Sequence, residues 1–271
     1  MSDVIAVRQA GPVARITISR PGRANAMNAD VLESLDQVLA SVASDPTTKV
    51  AVIEGAGKGF SAGYDIEPGG SVEESKNDIV ADWLRLRANA ERWSRLWRFP
   101  KPVIAKVHGY CIAGGLELVT ACDLVIATED SRFGYPAVRA VGTPPFMMLP
   151  LLVGGRIARE MLFTGDSITG SEAVAAGLAN RAVPAEELES EVHRIAERIA
   201  LMPLEQLMLA KASIIRGQDI LGYGPAMLSG VEFDAISHFG NAVQSFWQRS
   251  RAEGVKAAIR HRDEPFAEHW S

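Results

Sequence analysis

The chain has 271 residues, 47% of them hydrophobic, a length that supports one large globular body burying roughly 75% of its unfolded surface without metal or disulfide staples. Lys and Arg number 28 against 33 Asp and Glu, for a net charge of -5, which excludes a broad nucleic-acid-binding surface and leaves only a local basic pocket. Cys111 and Cys122 match no zinc or secreted-disulfide spacing, MSDVIAVRQA carries no secretory pattern, and no apolar run approaches the ~18 residues of a spanning helix. The sequence therefore reads as soluble and cytoplasmic, without membrane contact.

Residues 4–7 and 13–19 are apolar or alternating around Gly11-Pro12, which predicts a hairpin. Asp30 then precedes Val31, Leu35, Val38, Leu39 and Val42, whose spacing predicts an amphipathic helix. Residues 50–53 read as a short buried strand that runs into a Gly-rich loop over 55–70. A helix is predicted over 77–97, carrying Trp83, Leu84, Leu86, Trp93, Leu96 and Trp97, and a strand over 102–107. The His108-Gly109-Tyr110 turn leads into another helix, and residues 124–127 form a further strand. The alternation from 50 to 127 is that of stacked βαβ units and an α/β class. Beyond Pro144 the pattern is helical apart from an apolar stretch at 178–183. Pro and Gly punctuation after Ala185 separates several helices, the last over 255–260. Such a tail caps the core or packs on neighbouring subunits, and no linker or repeat divides the chain.

Two segments invite chemistry. GAGKGFSAG at 55–63 fails the Walker template, because Lys58 is followed by Gly59, and fails the dinucleotide template, because FSAGYDIEPGG prolongs the loop instead of opening a helix. A turn whose glycines take positive φ is the alternative. In KPVIAKVHGYCIAGGLELVTACD, at 101–123, Ala113-Gly114-Gly115 sits between a buried strand and a helix with Leu116, Val119 and Thr120. Small residues there let an anionic oxygen reach exposed backbone N–H groups at a helix start, or else serve close helix–strand packing. Glu117 projects from nearly the same face as Gly114. Burying a carboxylate among LELVTA is costly without a purpose or a partner, so it is either functional or ion-paired to Arg or Lys. His108 and Cys111 imply no nucleophile–base geometry, and no His or carboxylate cluster points to a metal.

SRPGRANAMN, FSAGYDI, KPVIAKVHGYCIAGGLELVTACDLVIA, FTGDSITGSEAVAAGLANRAVP and EGVKAAIRHRDEPF follow one another in this order. Together they resemble the crotonase (enoyl-CoA hydratase/isomerase) superfamily over nearly the whole chain. The resemblance implies a spiral of ββα units over 1–184 and a helical trimerisation region over 185–271, both within one fold unit. It implies a homotrimer or dimer of trimers acting on an acyl-CoA thioester, with no metal and no cofactor beyond the coenzyme A of the substrate. By the same resemblance the N–H groups of Tyr64 and Gly114 form an oxyanion hole, with no role required of the Tyr64 side chain. Ala62, Tyr64, Asp65, Ile66 and Gly114 then contact the CoA thioester, and Arg23, Ala24 and Ala26 lie at its adenine end. The arginines of the 77–97 helix, Arg85, Arg87, Arg92, Arg95 and Arg98, read as a solvated face or a CoA phosphate contact, and its tryptophans as core or acyl-pocket wall.

Hydratases of this superfamily deliver water with two glutamates. Glu117 matches the first as general acid/base, while the second position, after the FG-x-P of 133–136, is Ala137. Pro145 stands where those hydratases have a glycine whose N–H lies near the water, and proline has no N–H. The expected activity is nominally an enoyl-CoA hydratase. Single-glutamate isomerisation, dehydration or thioester hydrolysis are the alternatives, as is a non-catalytic CoA-thioester-binding protein. Acyl-group specificity is expected from residues 68–97.

Overall fold

The computed structural model describes residues 4–67 and 78–267. Strands β1 (Ile5–Ala10) and β2 (Val13–Ile18) pair antiparallel through a tight turn. Gly11 takes φ 55° in that turn, where a side chain would be strained. Helix α1 (Ala29–Ser44) is capped by Asn28, whose side chain accepts from the Val31 N–H, and it buries Val31, Leu32, Leu35, Leu39 and Val42. After β3 (Val50–Gly55), helix α2 (Ile79–Trp97) is capped by Asp78 and buries Leu86, Trp93, Leu96 and Trp97. Leu84 is instead exposed. The expected end of the Gly-rich loop, the start of its following helix and the first part of the specificity region, all within 68–77, lie outside the described residues.

Next come β4 (Val103–Val107), β5 (Tyr110–Ile112) and α3 (Gly114–Thr120). The chain thus makes a three-residue strand where the sequence predicted an immediate helix. Strands β6 (Leu124–Thr128) and β7 (Arg132–Gly134), helix α4 (Leu149–Thr164), strand β8 (Ser167–Thr169), helix α5 (Gly170–Ala175) and strand β9 (Arg181–Val183) complete the first part. The apolar stretch at 178–183 is only half strand, because Leu178 and Ala179 turn into the core after α5. Helices α6 (Leu188–Ala200), α7 (Leu204–Ile220), α8 (Tyr223–Met227), α9 (Val231–Ser237), α10 (Asn241–Glu253) and α11 (Val255–Ala267) follow.

The main sheet has the order β1-β2-β3-β4-β6-β9 and is parallel except for the opening hairpin, and β5-β7-β8 form a second, small sheet. Period-2 alternation decides which side chain meets which layer. Ala51 and Ile53 join the larger core with Leu35 and Trp93, whereas Val50 and Val52 face Leu188 and Val192 of α6. The helices after 185 are therefore built onto the sheet from their first element. Lys211 of α7 adds a buried tie, with Nζ 2.6 Å from Asp123 and 3.1 Å from the Lys101 carbonyl. Because β3 and β4 are parallel, the loop leaving Gly55 and the turn leaving Val107 emerge on the same edge of the sheet, which is where such folds place ligands.

Candidate active site

Three loops are stitched together on that edge. The 20–28 segment binds the loop after β3 through Ala62 N–H to Ala24 O at 3.0 Å, Met27 N–H to Gly63 O at 2.7 Å and Asp65 N–H to Met27 O at 3.0 Å. The loop in turn holds the β5–α3 turn, with Ile112 N–H 2.9 Å from Ser61 O. Ala24, Asn25 and Ala113 all have positive φ although none is glycine, so strain is concentrated on these loops. Buried Asn25 secures the first, its Nδ2 donating to Ala56 O at 2.7 Å and Gly59 O at 2.8 Å.

Gly63 and Gly114 permit an unusually close approach. Gly63 has φ 95°, and a Cβ there would lie 2.9 Å from the Gly114 nitrogen, while a Cβ on Gly114 would lie 2.8 Å from Cε2 of Tyr64. Among the described residues, neither the Tyr64 nor the Gly114 N–H donates to any protein group. Unengaged donors on adjacent turns are what a developing oxyanion requires. With only seven residues, α3 has little macrodipole, so the attraction for negative charge rests on the amides themselves.

Beside them Glu117 is buried. Tyr64 Oη donates to its Oε2 at 2.8 Å and Tyr135 Oη to its Oε1 at 2.7 Å, while Trp93 Nε1–H donates to Tyr64 Oη at 2.9 Å. Burial pushes the Glu117 carboxyl up to about 7, against the pull of the two hydroxyl donors. The same burial raises both tyrosine hydroxyls well above their usual range. No Lys or Arg pairs with Glu117 among the described residues, so it carries no structural ion pair. The Tyr64 side chain, of which the oxyanion hole requires nothing, is a hydrogen-bond partner of the carboxylate.

A cavity of about 640 Å³ opens in front of this cluster. Its wall includes Arg23, Ala24, Ala26, Ala62, Tyr64, Asp65 and Ile66, and also Ala137 and Pro145. Glu117 and Gly114 stand one layer behind the wall, which at that point is made by Ala113, Tyr64 and Tyr135. Asp65 is engaged by Arg20 at 2.9 Å and Arg23 lies 3.7 Å from Glu67, so neither presents an isolated charge. Most of the arginine helix is likewise paired, Arg85 with buried Asp82, Arg87 with Glu91, Arg92 with Asp36 and Arg98 with Asp219. His108 Nε2 meets Gly57 O at 2.8 Å, and burial raises the Cys111 thiol, so the two form no nucleophile–base pair.

Among the wall residues not foreseen as part of the site are Tyr135, Thr143, Asp234 and His238. Asp234 and His238 come from the short α9 and its end, and α9 packs against α2. Thr143 N–H donates to Asp234 Oδ1 at 2.7 Å, His238 Nε2 lies 3.5 Å from the same oxygen, and His238 Nδ1 is 2.6 Å from Asp82 Oδ2. Burial pushes Asp234 up to about 6, with His238 and the Thr143 amide pulling the other way. The Asp–His spacing of four is readable in EFDAISH as one helix face. Nothing local in the sequence says that this face closes over a cavity built some hundred residues earlier.

A family model described as enoyl-CoA hydratase/isomerase matches residues 8–221. The chain belongs to the enoyl-CoA hydratase/isomerase family, and so to the crotonase superfamily. This family member is 35% identical over 221 residues to a short-chain-enoyl-CoA hydratase of Clostridium acetobutylicum, covering 80% of this chain and 82% of the relative. It is 36% identical over 210 residues to a crotonyl-CoA hydratase of Syntrophomonas wolfei, covering 76% and 78%. Its fold matches a crystal structure of an enoyl-CoA hydratase from Mycobacterium smegmatis with a TM-score of 0.91 at 32% identity, covering 97% of this chain and 94% of the other. The mixed α/β architecture with a helical C-terminal region is thus that of the superfamily. Among the described residues of this family member, no helix is long and apolar enough to cross a membrane.

Proposed function

We propose that the protein is a 2-enoyl-CoA hydratase that adds water reversibly across the double bond of an acyl-CoA thioester. The observation that carries this reading is the pair of unengaged N–H groups, of Tyr64 and Gly114, next to a buried carboxyl held near neutrality. The thioester oxygen accepts from both amides, and their attraction grows as charge moves onto that oxygen in the enolate. Glu117 is the proton reservoir for the α-carbon, and the hydroxyls of Tyr64 and Tyr135 that cap it carry the proton across the cavity wall. Arg23, Ala24 and Ala26 take the adenine end of coenzyme A, and Ala62 and Ile66 the arm. Asp65 contributes wall and backbone there, since its charge is spent on Arg20.

The names of the relatives support hydration, and no cofactor beyond the substrate's coenzyme A enters the mechanism. The region 185–271 acts as the assembly module of a homotrimer or dimer of trimers. Supporting this, it exposes Leu209, Ile214, Ile220, Leu221, Phe233 and Ile236. A reducing cytoplasmic setting agrees with two free cysteines. Ala137 on the cavity wall favours a second reading, isomerisation by Glu117 alone.

The test is a panel of short, long, branched and cyclic enoyl-CoA esters with products identified by mass. A water adduct supports the proposal. An unshifted mass with a moved double bond makes the protein an isomerase and free coenzyme A a thioesterase, while binding without turnover makes it a non-catalytic binder.

A further inference from the structure

We propose that Asp234, brought to the cavity by α9, is the second acid/base group of the site and handles the water that the Ala137 position cannot. This rests on reading the cavity as an enoyl-CoA hydration site. Asp234 is the only carboxylate on the described wall that forms no salt bridge with Lys or Arg, Arg85 acting on it only at longer range: Asp65 is held by Arg20 and Glu67 stands by Arg23. All its hydrogen bonds fall on Oδ1, from the Thr143 N–H at 2.7 Å and the Ser237 hydroxyl at 3.4 Å, while Oδ2 accepts none among the described residues. A fixed carboxylate with one oxygen unspent is built to hold or deprotonate a small polar guest.

Two further features mark the same spot. Thr143 Oγ1 is the one buried side-chain polar atom among the described residues that finds no partner, and Thr143 also lines the cavity. The N–H of the same residue holds Asp234 Oδ1, so turning this unpaired hydroxyl toward the cavity gives a water there its second hydrogen bond, in place of the amide that Pro145 lacks. Gly142 keeps the group compact, since a Cβ there would fall 2.5 Å from Asp234 Oδ1 and 2.8 Å from His238 Nε2. Behind Asp234, His238 bridges to Asp82, which Arg85 also holds at 2.6 Å. Asp82 stays ionised there, because those two partners outweigh its burial. With Nδ1–H directed at Asp82, the His238 ring is fixed with Nε2 3.5 Å from Asp234 Oδ1.

The groups facing Asp234 are His238 on its own helix segment, Asp82 and Arg85 of α2, and Glu117 of α3. Asp234 settles near 6 and Glu117 near 7, the latter raised in part by the Asp234 charge. Around these values the two buried carboxyls share one proton, so an acid and a base are available together. The water oxygen bonds C3 as one water proton passes to Asp234 Oδ2, and the C2–C3 π pair moves onto the thioester oxygen as an enolate held by the two amides. The enolate pair then takes the Glu117 proton at C2. Asp234 is left protonated and Glu117 ionised, and proton exchange with solvent resets both.

Purified full-length wild type and Asp234→Asn are compared in two assays, hydration of crotonyl-CoA and exchange of the C2 hydrogen of butyryl-CoA in heavy water. Exchange needs the amides and Glu117 but no attacking water. In the variant, hydration is expected to fall ~10²–10⁴-fold, the usual worth of a general acid/base group, and exchange far less. Equal loss in both assays would make Asp234 a structural residue, and unchanged hydration a bystander. Either result overturns this proposal while leaving the hydratase reading standing. Wild type that exchanges but never hydrates overturns both. Should the variant fail to fold, wild type alone decides. Hydration must fall on both sides of the shared-proton interval, while exchange, which needs ionised Glu117, rises with pH. Identical pH profiles for the two reactions overturn the proposal.

Discussion

Glu117 sits where an apolar side chain would be the more stable choice, and the cost of that choice depends on pH. Its folded value of about 7 lies above the ordinary 4.5, because burial penalises the carboxylate more than the two tyrosine donors favour it. The folded protein thus holds this proton more tightly than the unfolded chain. The contribution is complete below the unfolded value, shrinks as pH rises, and is gone once pH passes the folded value. Glu117→Gln removes the titration. Denaturant unfolding should therefore show wild type losing on the order of 2–3 kcal/mol relative to the variant between about pH 5 and about pH 8. A stability difference that stays constant over that range would mean the carboxyl is not desolvated. The cost of burying Glu117 was legible in LELVTA, since a carboxylate stands out in an apolar run. The tyrosines that cap it were not, because Tyr64 and Tyr135 meet it only through tertiary packing.

Where an element owes its shape to periodicity, the sequence was a sound guide, as in the opening hairpin, α1 and the strands β3, β4 and β6. Strands β5, β7 and β8 have three residues each, too few to show a period, and exist because they pair with one another. The β5–α3 turn was recognisable by Ala113-Gly114-Gly115, yet both readings of its glycines hold at once, close packing and exposed amides. At Gly114 they are inseparable. An added Cβ would meet three atoms of the Tyr64 ring at 2.8, 2.9 and 3.1 Å, and that ring is a packed wall rather than a flexible tip. Gly114→Ala should destabilise the protein by ~1–3 kcal/mol, the usual range for overpacking. It should also cut turnover by about 10²-fold, because a shift of ~1 Å in Tyr64 or the amide misplaces the reacting groups. Thermal denaturation and steady-state kinetics read the two effects. A variant with lowered stability and unchanged kcat would separate packing from catalysis at this turn.

At the scale of the molecule, the helical tail was legible as a tail but not as a wall. Helix α6 covers one face of the main sheet, and α9 carries Asp234 to the cavity, so residues beyond 185 both complete the core and shape the site. Long-range closure of this kind leaves no local pattern, which is why Asp234 escaped a reading that found Glu117. The apolar side chains left exposed on α7 and α9 predict association, and sedimentation at micromolar concentration should show a trimer or a hexamer. A monomer would assign that face to some other partner. Whatever the acyl group, enolate formation at the Tyr64–Gly114 amides with Glu117 as the proton reservoir is the central claim. The most direct measurement is deuterium incorporation at C2 of a saturated acyl-CoA in heavy water, by mass spectrometry, for wild type and Glu117→Gln at matched, saturating thioester. Wild type should incorporate deuterium and the variant should do so ~10²–10⁴-fold more slowly while still binding the ester. Equal incorporation in the two proteins, or none in wild type, would contradict the account.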